Sequence, residues 1–134
     1  MGALVCGLIR DFRSQTMNQP NALKFAASRC YIYRKNPGQW VTVCPWKDSD
    51  PDGPKTESSM GYPYQRAQRL NAANIACCAL FQWADARNFD REYIANGYEA
   101  ILDAAHQFAP SMSARQFLRV GIDAAKRIQS AQPE

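Results

Sequence analysis

The fold of this chain follows from the stretch between residues 29 and 46, RCYIYRKNPGQWVTVCPW. Its two halves are rich in β-branched and aromatic residues, which favour strands, and they flank the turn-forming sequence Asn36-Pro37-Gly38. The stretch therefore predicts an antiparallel β-hairpin. Helical periodicity dominates the residues that follow, so we expect the helices to be arranged around this hairpin.

The register of the hairpin decides which side chains it exposes, because successive side chains of a strand point to opposite faces. In one register one face holds Tyr31, Tyr33, Val41 and Val43, and the opposite face holds Ile32, Arg34, Trp40 and Thr42. In the other register Ile32 joins Val41 and Val43 in the core, while the outer face holds Tyr31, Tyr33, Lys35 and Trp40. The Pro-Gly turn is compatible with both, since longer hairpin loops are also common. Both registers place Trp40 on the outer face beside a basic residue.

Helices are predicted on both sides of the hairpin. A short helix is expected over residues 22–28 with Asn21 as its cap, and a short third strand over residues 57–60. The longest helix runs from about residue 64 to residue 86, and its segment 72–81 is apolar on nearly every side, which is typical of a buried central helix. Two further helices follow, one beginning at Asp90 and one after the capping box Ser113-Ala114-Arg115-Gln116. The fold class is α+β: an antiparallel hairpin, with a third short strand, packed on a central helix with two more C-terminal helices.

Length and composition are those of one globular domain. The chain has 134 residues, 46% of them hydrophobic and 21% charged, so we expect a single domain over residues 1–134, with residues 1–20 as a loosely ordered N-terminal extension. Met1 and Met17 are both candidate translation starts. The apolar run 3–9 is much shorter than the roughly 20 residues of a membrane span, which predicts no membrane partner. Five cysteines, an odd number, are typical of a reduced cytoplasmic protein.

The basic residues are unevenly distributed along the chain. The net charge is +4, yet the first 47 residues contain Asp11 as their single acid. The bases in the same segment are Arg10, Arg13, Lys24, Arg29, Arg34, Lys35 and Lys47. The excess positive charge therefore lies in the hairpin and the residues before it, which is typical of a surface that binds a polyanion.

The hairpin also alternates these bases with aromatic residues. Aromatic rings can stack on bases while basic groups contact phosphates. The predicted binding residues are Arg29, Tyr31, Tyr33, Arg34, Lys35 and Trp40, extended by Arg66 and Arg69 of the central helix. We interpret the chain as a small non-enzymatic domain that binds nucleic acid, DNA in preference to RNA. The alternative is a protein-binding adaptor, or an inhibitor of a host complex, that uses the same hairpin surface, since Trp, Tyr and Arg dominate protein interfaces.

The order of strands and helix resembles two families of nucleic-acid-binding domains. A β-β-(β)-α order after a basic segment is similar in architecture to the arm-type DNA-binding domains of phage integrases and to the double-stranded-RNA-binding domain. The Lys-Lys-x-Ala-Lys motif that begins the second helix of the latter is absent, and residues 64–68 read YQRAQ instead. The resemblance is therefore one of architecture alone.

Motifs for catalysis and for metal binding are weak. The chain has one histidine and no G-x-S-x-G, H-E-x-x-H or P-loop pattern, so we expect neither an enzyme nor a cofactor. Residues 48–53, DSDPDG, match the first half of a calcium loop through Asp48, Asp50 and Asp52, but the twelfth position holds Ser59 instead of a bidentate acid. An acidic turn is the favoured interpretation and calcium the weaker one. Glu99, Asp103 and His106 share one helix face, which we interpret as a solvated polar stripe.

Overall fold

The computed structural model describes residues 16–44, 56–58, 60–107 and 112–131. Its elements are α1 (Gln19–Ala27), β1 (Tyr31–Asn36), β2 (Gln39–Cys44), β3 (Thr56–Glu57), α2 (Tyr64–Asp85), α3 (Arg91–Gln107) and α4 (Ala114–Ala131). This order confirms the predicted α+β class, with a hairpin and a short third strand followed by one long and two further helices. None of the helices in these residues is long and apolar enough to cross a membrane.

Helix α1 begins at Gln19 instead of at residue 22, and its cap is Asn18 instead of Asn21. The Asn18 side chain accepts a hydrogen bond from the backbone N–H of Asn21 at 2.9 Å. Pro20 then lies in the first turn, where its missing N–H has no consequence. Met17 packs against the buried core. Residues 16–20 are therefore part of the described fold, while residues 1–15 lie outside the described residues.

Strand β2 is the middle strand of the sheet, paired antiparallel with β1 on one side and with β3 on the other. The third strand was predicted over residues 57–60 and occurs at Thr56–Glu57. Beyond it the chain stays beside β2, and Tyr62 forms an isolated bridge with Trp40 through two backbone hydrogen bonds of 2.8 Å. Strand β2 therefore has hydrogen-bonded neighbours along both of its edges.

A bulge at Lys35 decides the register of the hairpin. Asn36 pairs with Gln39 across the turn, yet Arg34 pairs with Trp40, so Lys35 has no partner in the ladder. The remaining pairs are Tyr31 with Val43, Ile32 with Thr42, and Tyr33 with Val41. This is the first of the two predicted registers. The extra residue shifts β1 by one position, and without it the second register would follow from the same turn.

The face that carries Trp40 is directed towards α2, which corrects the expectation that Trp40 lies outward. The Trp40 ring contacts Tyr64 at the start of α2, and Cys44, on the same face, belongs to one buried cluster with Cys77. Trp40 is accordingly half-buried. Val41 and Val43 lie on the opposite face and are nevertheless 2% and 1% exposed, so β2 is buried on both faces.

Helix α2 is the central helix, as its apolar sequence predicts. It packs on α1, β2, α3 and α4. Small residues allow these close approaches: a Cβ atom at Gly97 of α3 would collide with the Leu80 side chain and lie 2.8 Å from the Gly121 carbonyl oxygen of α4. The backbone carbonyl of Asp90 accepts hydrogen bonds from the N–H groups of Tyr93 and Ile94 at the start of α3. Ser113 and Gln116 form the predicted reciprocal capping box of α4.

Candidate functional site

Three aromatic residues and two arginines meet where the hairpin turn approaches the beginning of α2. The Trp40 and Tyr64 rings lie 4.7 Å apart, centroid to centroid, and cross at 61° in an edge contact. The Arg66 guanidinium lies 5.3 Å from the centre of the Tyr62 ring. Arg34 stands opposite Trp40 on β1. We refer to Arg34, Trp40, Tyr62, Tyr64 and Arg66 as the Trp40 cluster.

Backbone geometry holds the Trp40 cluster together. The bridge between Trp40 and Tyr62 fixes residues 60–62 against β2, and Gly61 is needed for that approach, because a Cβ atom there would lie 2.8 Å from the Gln39 Cβ. Pro63 has a φ of −56° and precedes the first residue of α2, Tyr64. The Tyr64 hydroxyl accepts a hydrogen bond of 3.0 Å from the Gln68 side chain one turn later. The backbone at Pro63 and the hydrogen bond to its hydroxyl therefore both orient the Tyr64 side chain.

The Trp40 cluster is accessible and positively charged. Tyr64 is 46% exposed, Arg34 and Arg66 are exposed, and Trp40 and Tyr62 are half-buried. Within the described residues neither arginine is paired with a carboxylate. Helix α2 begins without a side-chain cap hydrogen bond and without an acidic residue in its first turn. Its first N–H groups therefore add a partial positive charge beside the cluster.

The predicted residues Tyr31 and Tyr33 lie on the other face of the sheet. Tyr31 is 45% exposed and pairs with Val43. The Tyr33 hydroxyl donates a hydrogen bond of 3.1 Å to the Glu57 carboxylate on β3. Partial desolvation and this hydrogen bond raise the pKa of Tyr33. The acid makes this face less suited to a polyanion than the Trp40 cluster, so the predicted aromatic residues do not form a single surface.

The remaining predicted residues are dispersed. Arg29 lies over the Phe25 ring of α1, 4.0 Å from its centre, and donates a hydrogen bond to the Ser28 hydroxyl. Lys35 is the exposed bulge residue. Arg69 is half-buried on α2, and within the described part of the chain its Nε has no hydrogen-bond partner. Of the eight predicted residues, the structure gathers Arg34, Trp40 and Arg66.

A cavity of about 480 Å³ lies on another side of the molecule, between α1, the end of α2 and the start of α4. It is lined by Asn18, Gln19, Pro20, Leu23, Trp83, Arg87 and Arg115. The Arg87 guanidinium stacks on Trp83 at 4.3 Å and donates hydrogen bonds to the carbonyl oxygens of Met17 and Trp83. Burial lowers the pKa of Arg87. These contacts give Arg87 the role of tying residue 17 to α2.

In the part of the chain that the structure describes, no group of three or more histidine, cysteine or acidic side chains is arranged so that it could hold a metal ion. Glu99, Asp103 and His106 are all exposed on α3, in keeping with a solvated stripe. Asp48, Asp50 and Asp52 lie outside the described residues, so the calcium hypothesis stays a prediction.

Sequence reasoning missed Tyr62 and Tyr64, which complete the Trp40 cluster. Their signal was the sequence Gly61-Tyr62-Pro63-Tyr64, which places two aromatic residues around a proline just before a helix. Their pairing with Trp40 spans more than twenty residues of chain, and local patterns carry no information about such contacts. The same applies to the cavity beside Trp83, which is built from separate segments.

Comparison with models of known protein families, with curated proteins and with solved structures finds no match for this chain.

Proposed function

We propose that this protein binds nucleic acid, DNA in preference to RNA, and that the Trp40 cluster is its contact surface. The observation that carries the proposal is the Trp40 cluster itself, in which one exposed and two half-buried aromatic rings lie near two exposed arginines at the beginning of α2, which has no side-chain cap. Aromatic rings accept stacked bases, and the flanking cations and helix N–H groups accept phosphates. No catalytic role is proposed.

The geometry favours a single strand over a duplex. A two-stranded ribbon can enter the major groove only if its turn protrudes from the protein. Here the turn end of the hairpin is attached to the segment that begins α2, because the Trp40 ring packs on Tyr64 and Trp40 forms a β-bridge with Tyr62. The exposed Tyr64 ring instead offers a flat surface for an unpaired base. Stacking of this kind tolerates any base, so low sequence specificity is expected.

Titration of a fluorescein-labelled, mixed-sequence DNA single strand, followed by anisotropy, tests the proposal. Affinity should fall as salt rises, and the double variant Arg34→Gln/Arg66→Gln should reduce the slope of log K against log salt by roughly 0.7 for each phosphate that the variant no longer neutralises. The matched control is Arg119→Gln/Arg127→Gln, which makes the same charge change on exposed residues of α4, a helix that packs mainly on α3 and α2. Equal decreases in affinity for the two variants would show that binding depends on net charge alone and would contradict a local binding site. Duplex DNA and RNA of the same sequence serve as competitors.

A protein-binding adaptor or inhibitor of a host complex is the second candidate function. Within the described residues, β1 has β2 as its one neighbour, so its outer edge offers backbone groups to which a partner strand could add. Tyr33, Arg34 and Trp40 would be the side-chain anchors. Loss of a specific protein partner on Trp40→Ala, in a protein that gives no anisotropy change with any nucleic acid, would favour this function over the first.

A further inference from the structure

The cavity beside Trp83 has the size and the mixed lining of a small-molecule site. Its volume of about 480 Å³ lies within the range of about 300–1,000 Å³ that is usual for ligand pockets. Three separate segments form it: the beginning of α1, the end of α2 with the residues just after it, and the beginning of α4. The seven lining residues in the described part of the chain include apolar side chains, amides and two arginines, and none of them is acidic.

The apolar part of the cavity wall consists of Pro20, Leu23 and Trp83. The Trp83 side chain is buried, and its ring makes an edge contact with Phe89, centroid to centroid at 5.4 Å. Leu23 is half-buried and packs against the core from α1. Because these contacts already hold the wall in one arrangement, an apolar ligand group would bind there at a low cost in side-chain ordering.

Positive charge is held around the same tryptophan. The Arg87 guanidinium lies 4.3 Å from the centre of the Trp83 ring, and its Nη1 donates hydrogen bonds of 3.0 Å and 2.9 Å to the carbonyl oxygens of Met17 and Trp83. The Lys126 ammonium lies 5.5 Å from the centre of the ring. A guanidinium stays charged at neutral pH even when it is partly buried, so Arg87 makes this wall of the cavity attractive to an anion.

Arg115 supplies the hydrogen-bond donors that an anion needs. It lines the cavity, is exposed, and forms no hydrogen bond or ion pair through its side chain within the described residues. Arg115 is the second residue of α4, and Gln19, which also lines the cavity, is the first residue of α1. The first N–H groups of a helix carry a partial positive charge, so both helix ends add to the charge of the two arginines.

We propose that this cavity binds a small organic carboxylate with an apolar body, such as a medium-chain fatty acid. The carboxylate accepts hydrogen bonds from Arg115, whose planar fork matches two carboxylate oxygens, and Arg87 adds its charge from the opposite segment. The apolar body packs on Leu23 and Trp83. The proposal does not depend on nucleic-acid binding, because the cavity and the Trp40 cluster share no residue.

Proton–nitrogen correlation NMR of the full chain tests the proposal, because each tryptophan gives one indole N–H signal. The tryptophans are Trp40, Trp46 and Trp83, and the variants Trp40→Phe and Trp46→Phe assign two signals, so that the third identifies Trp83 without a change at the cavity. Titration with octanoate at constant pH and ionic strength should shift the Trp83 signal. Octanol has the same apolar chain without the charge and should bind roughly tenfold more weakly or worse, since it cannot form the charge-assisted hydrogen bonds.

A pair of arginine variants gives a second measurement. Arg115→Gln should weaken octanoate binding roughly tenfold or more, because hydrogen bonds to the charged group are lost. The matched control is Arg127→Gln, which removes the same charge about three turns further along α4, at a residue that does not line this cavity. Both arginines are exposed, so both variants should fold.

Four results would overturn the proposal. The Trp83 signal does not move with octanoate at millimolar concentration, the Trp40 signal moves in its place, octanol binds as tightly as octanoate, or the two arginine variants bind octanoate equally well. The first two results come from the unsubstituted protein and do not depend on the folding of any variant. None of the four bears on whether the Trp40 cluster binds DNA, except that a shift of the Trp40 signal would assign the anion to that cluster.

Discussion

The helices and the sheet differ in the side chains that they bring together. Where α2, α3 and α4 meet, small residues allow close backbone approach, and Leu80 fills the space between Gly97 and Gly121. At the turn end of the sheet, aromatic rings meet at the surface beside arginines without an acidic partner in the described residues. The helices bury their contacting side chains against one another, whereas the turn end of the sheet leaves aromatic rings and arginines available to a ligand. This contrast supports the proposal that the helices supply stability and that the Trp40 cluster supplies the binding surface.

The largest expected effect on stability comes from truncating Leu80, whose side chain fills the contact between the helices. Leu80→Ala should lower the free energy of unfolding by about 2–5 kcal/mol, because Leu80 is fully buried and its removal leaves a cavity. Urea denaturation measures the change. Leu102→Ala is the matched control, since Leu102 is half-buried on α3 and should cost less. An equal destabilisation of both variants would contradict the central role of α2.

Overfilling the same contact should have a smaller effect. The added methyl group of Gly97→Ala would collide with Leu80 and with the backbone of Gly121, and the cost of such overpacking is about 1–3 kcal/mol. Gly38→Ala is not a suitable control because Gly38 has a φ of 76°. Ala100→Gly, at a half-buried position of the same helix, is a better one and should cost roughly 0.5–1 kcal/mol from propensity alone. A neutral Gly97→Ala would show that α3 and α4 are not held this closely.

Removal of the α4 cap is expected to be milder still. Ser113→Ala abolishes the bond from the Gln116 N–H to the Ser113 hydroxyl, a change of about 0.5–2 kcal/mol. Thermal unfolding by circular dichroism provides the measurement. Affinity for DNA should be unchanged in the folded variant, because α4 packs mainly on α3 and α2. A decrease in DNA affinity together with the decrease in stability would contradict the proposal that stability and binding belong to separate regions.

The smallest effect is confined to alkaline pH. Burial raises the pKa of Tyr98 above its ordinary value of 10.0, so above that pH the unfolded chain loses this proton while the folded chain keeps it. This contribution to stability is therefore present below pH 10 and declines as pH rises beyond it. Tyr98→Phe should show a shallower decline of unfolding free energy than the unsubstituted protein over this range. Parallel curves would contradict the burial of the hydroxyl.

Local sequence predicted the elements better than it predicted their contacts. The Asn36-Pro37-Gly38 turn, the long apolar helix and the Ser113 capping box each depend on neighbouring residues, and each occurs as predicted. The cap of α1 was misplaced because Asn18 and Asn21 are equally good caps by residue type, and the fold uses the earlier one.

The candidate site was predictable only in part. Arg34, Trp40 and Arg66 were among the predicted binding residues, but the expected outward position of Trp40 was wrong. Its environment depends on Lys35, whose bulge sets the register, and on Tyr64, which reaches it from the next element. Neither the bulge nor a contact over this sequence distance has a local signature, so the sequence left two registers open and the structure decided between them.

The comparison between two tyrosines tests the central claim most directly. Tyr64 and Tyr31 are 46% and 45% exposed, but Tyr64 belongs to the Trp40 cluster and Tyr31 lies on the other face of the sheet. Anisotropy titration of the single-stranded DNA should show that Tyr64→Ala weakens binding by roughly 1–3 kcal/mol, the value of one stacked base, while Tyr31→Ala leaves it unchanged. Equal affinities for the two folded variants, or a decrease confined to Tyr31→Ala, would contradict the assignment of binding to the Trp40 cluster.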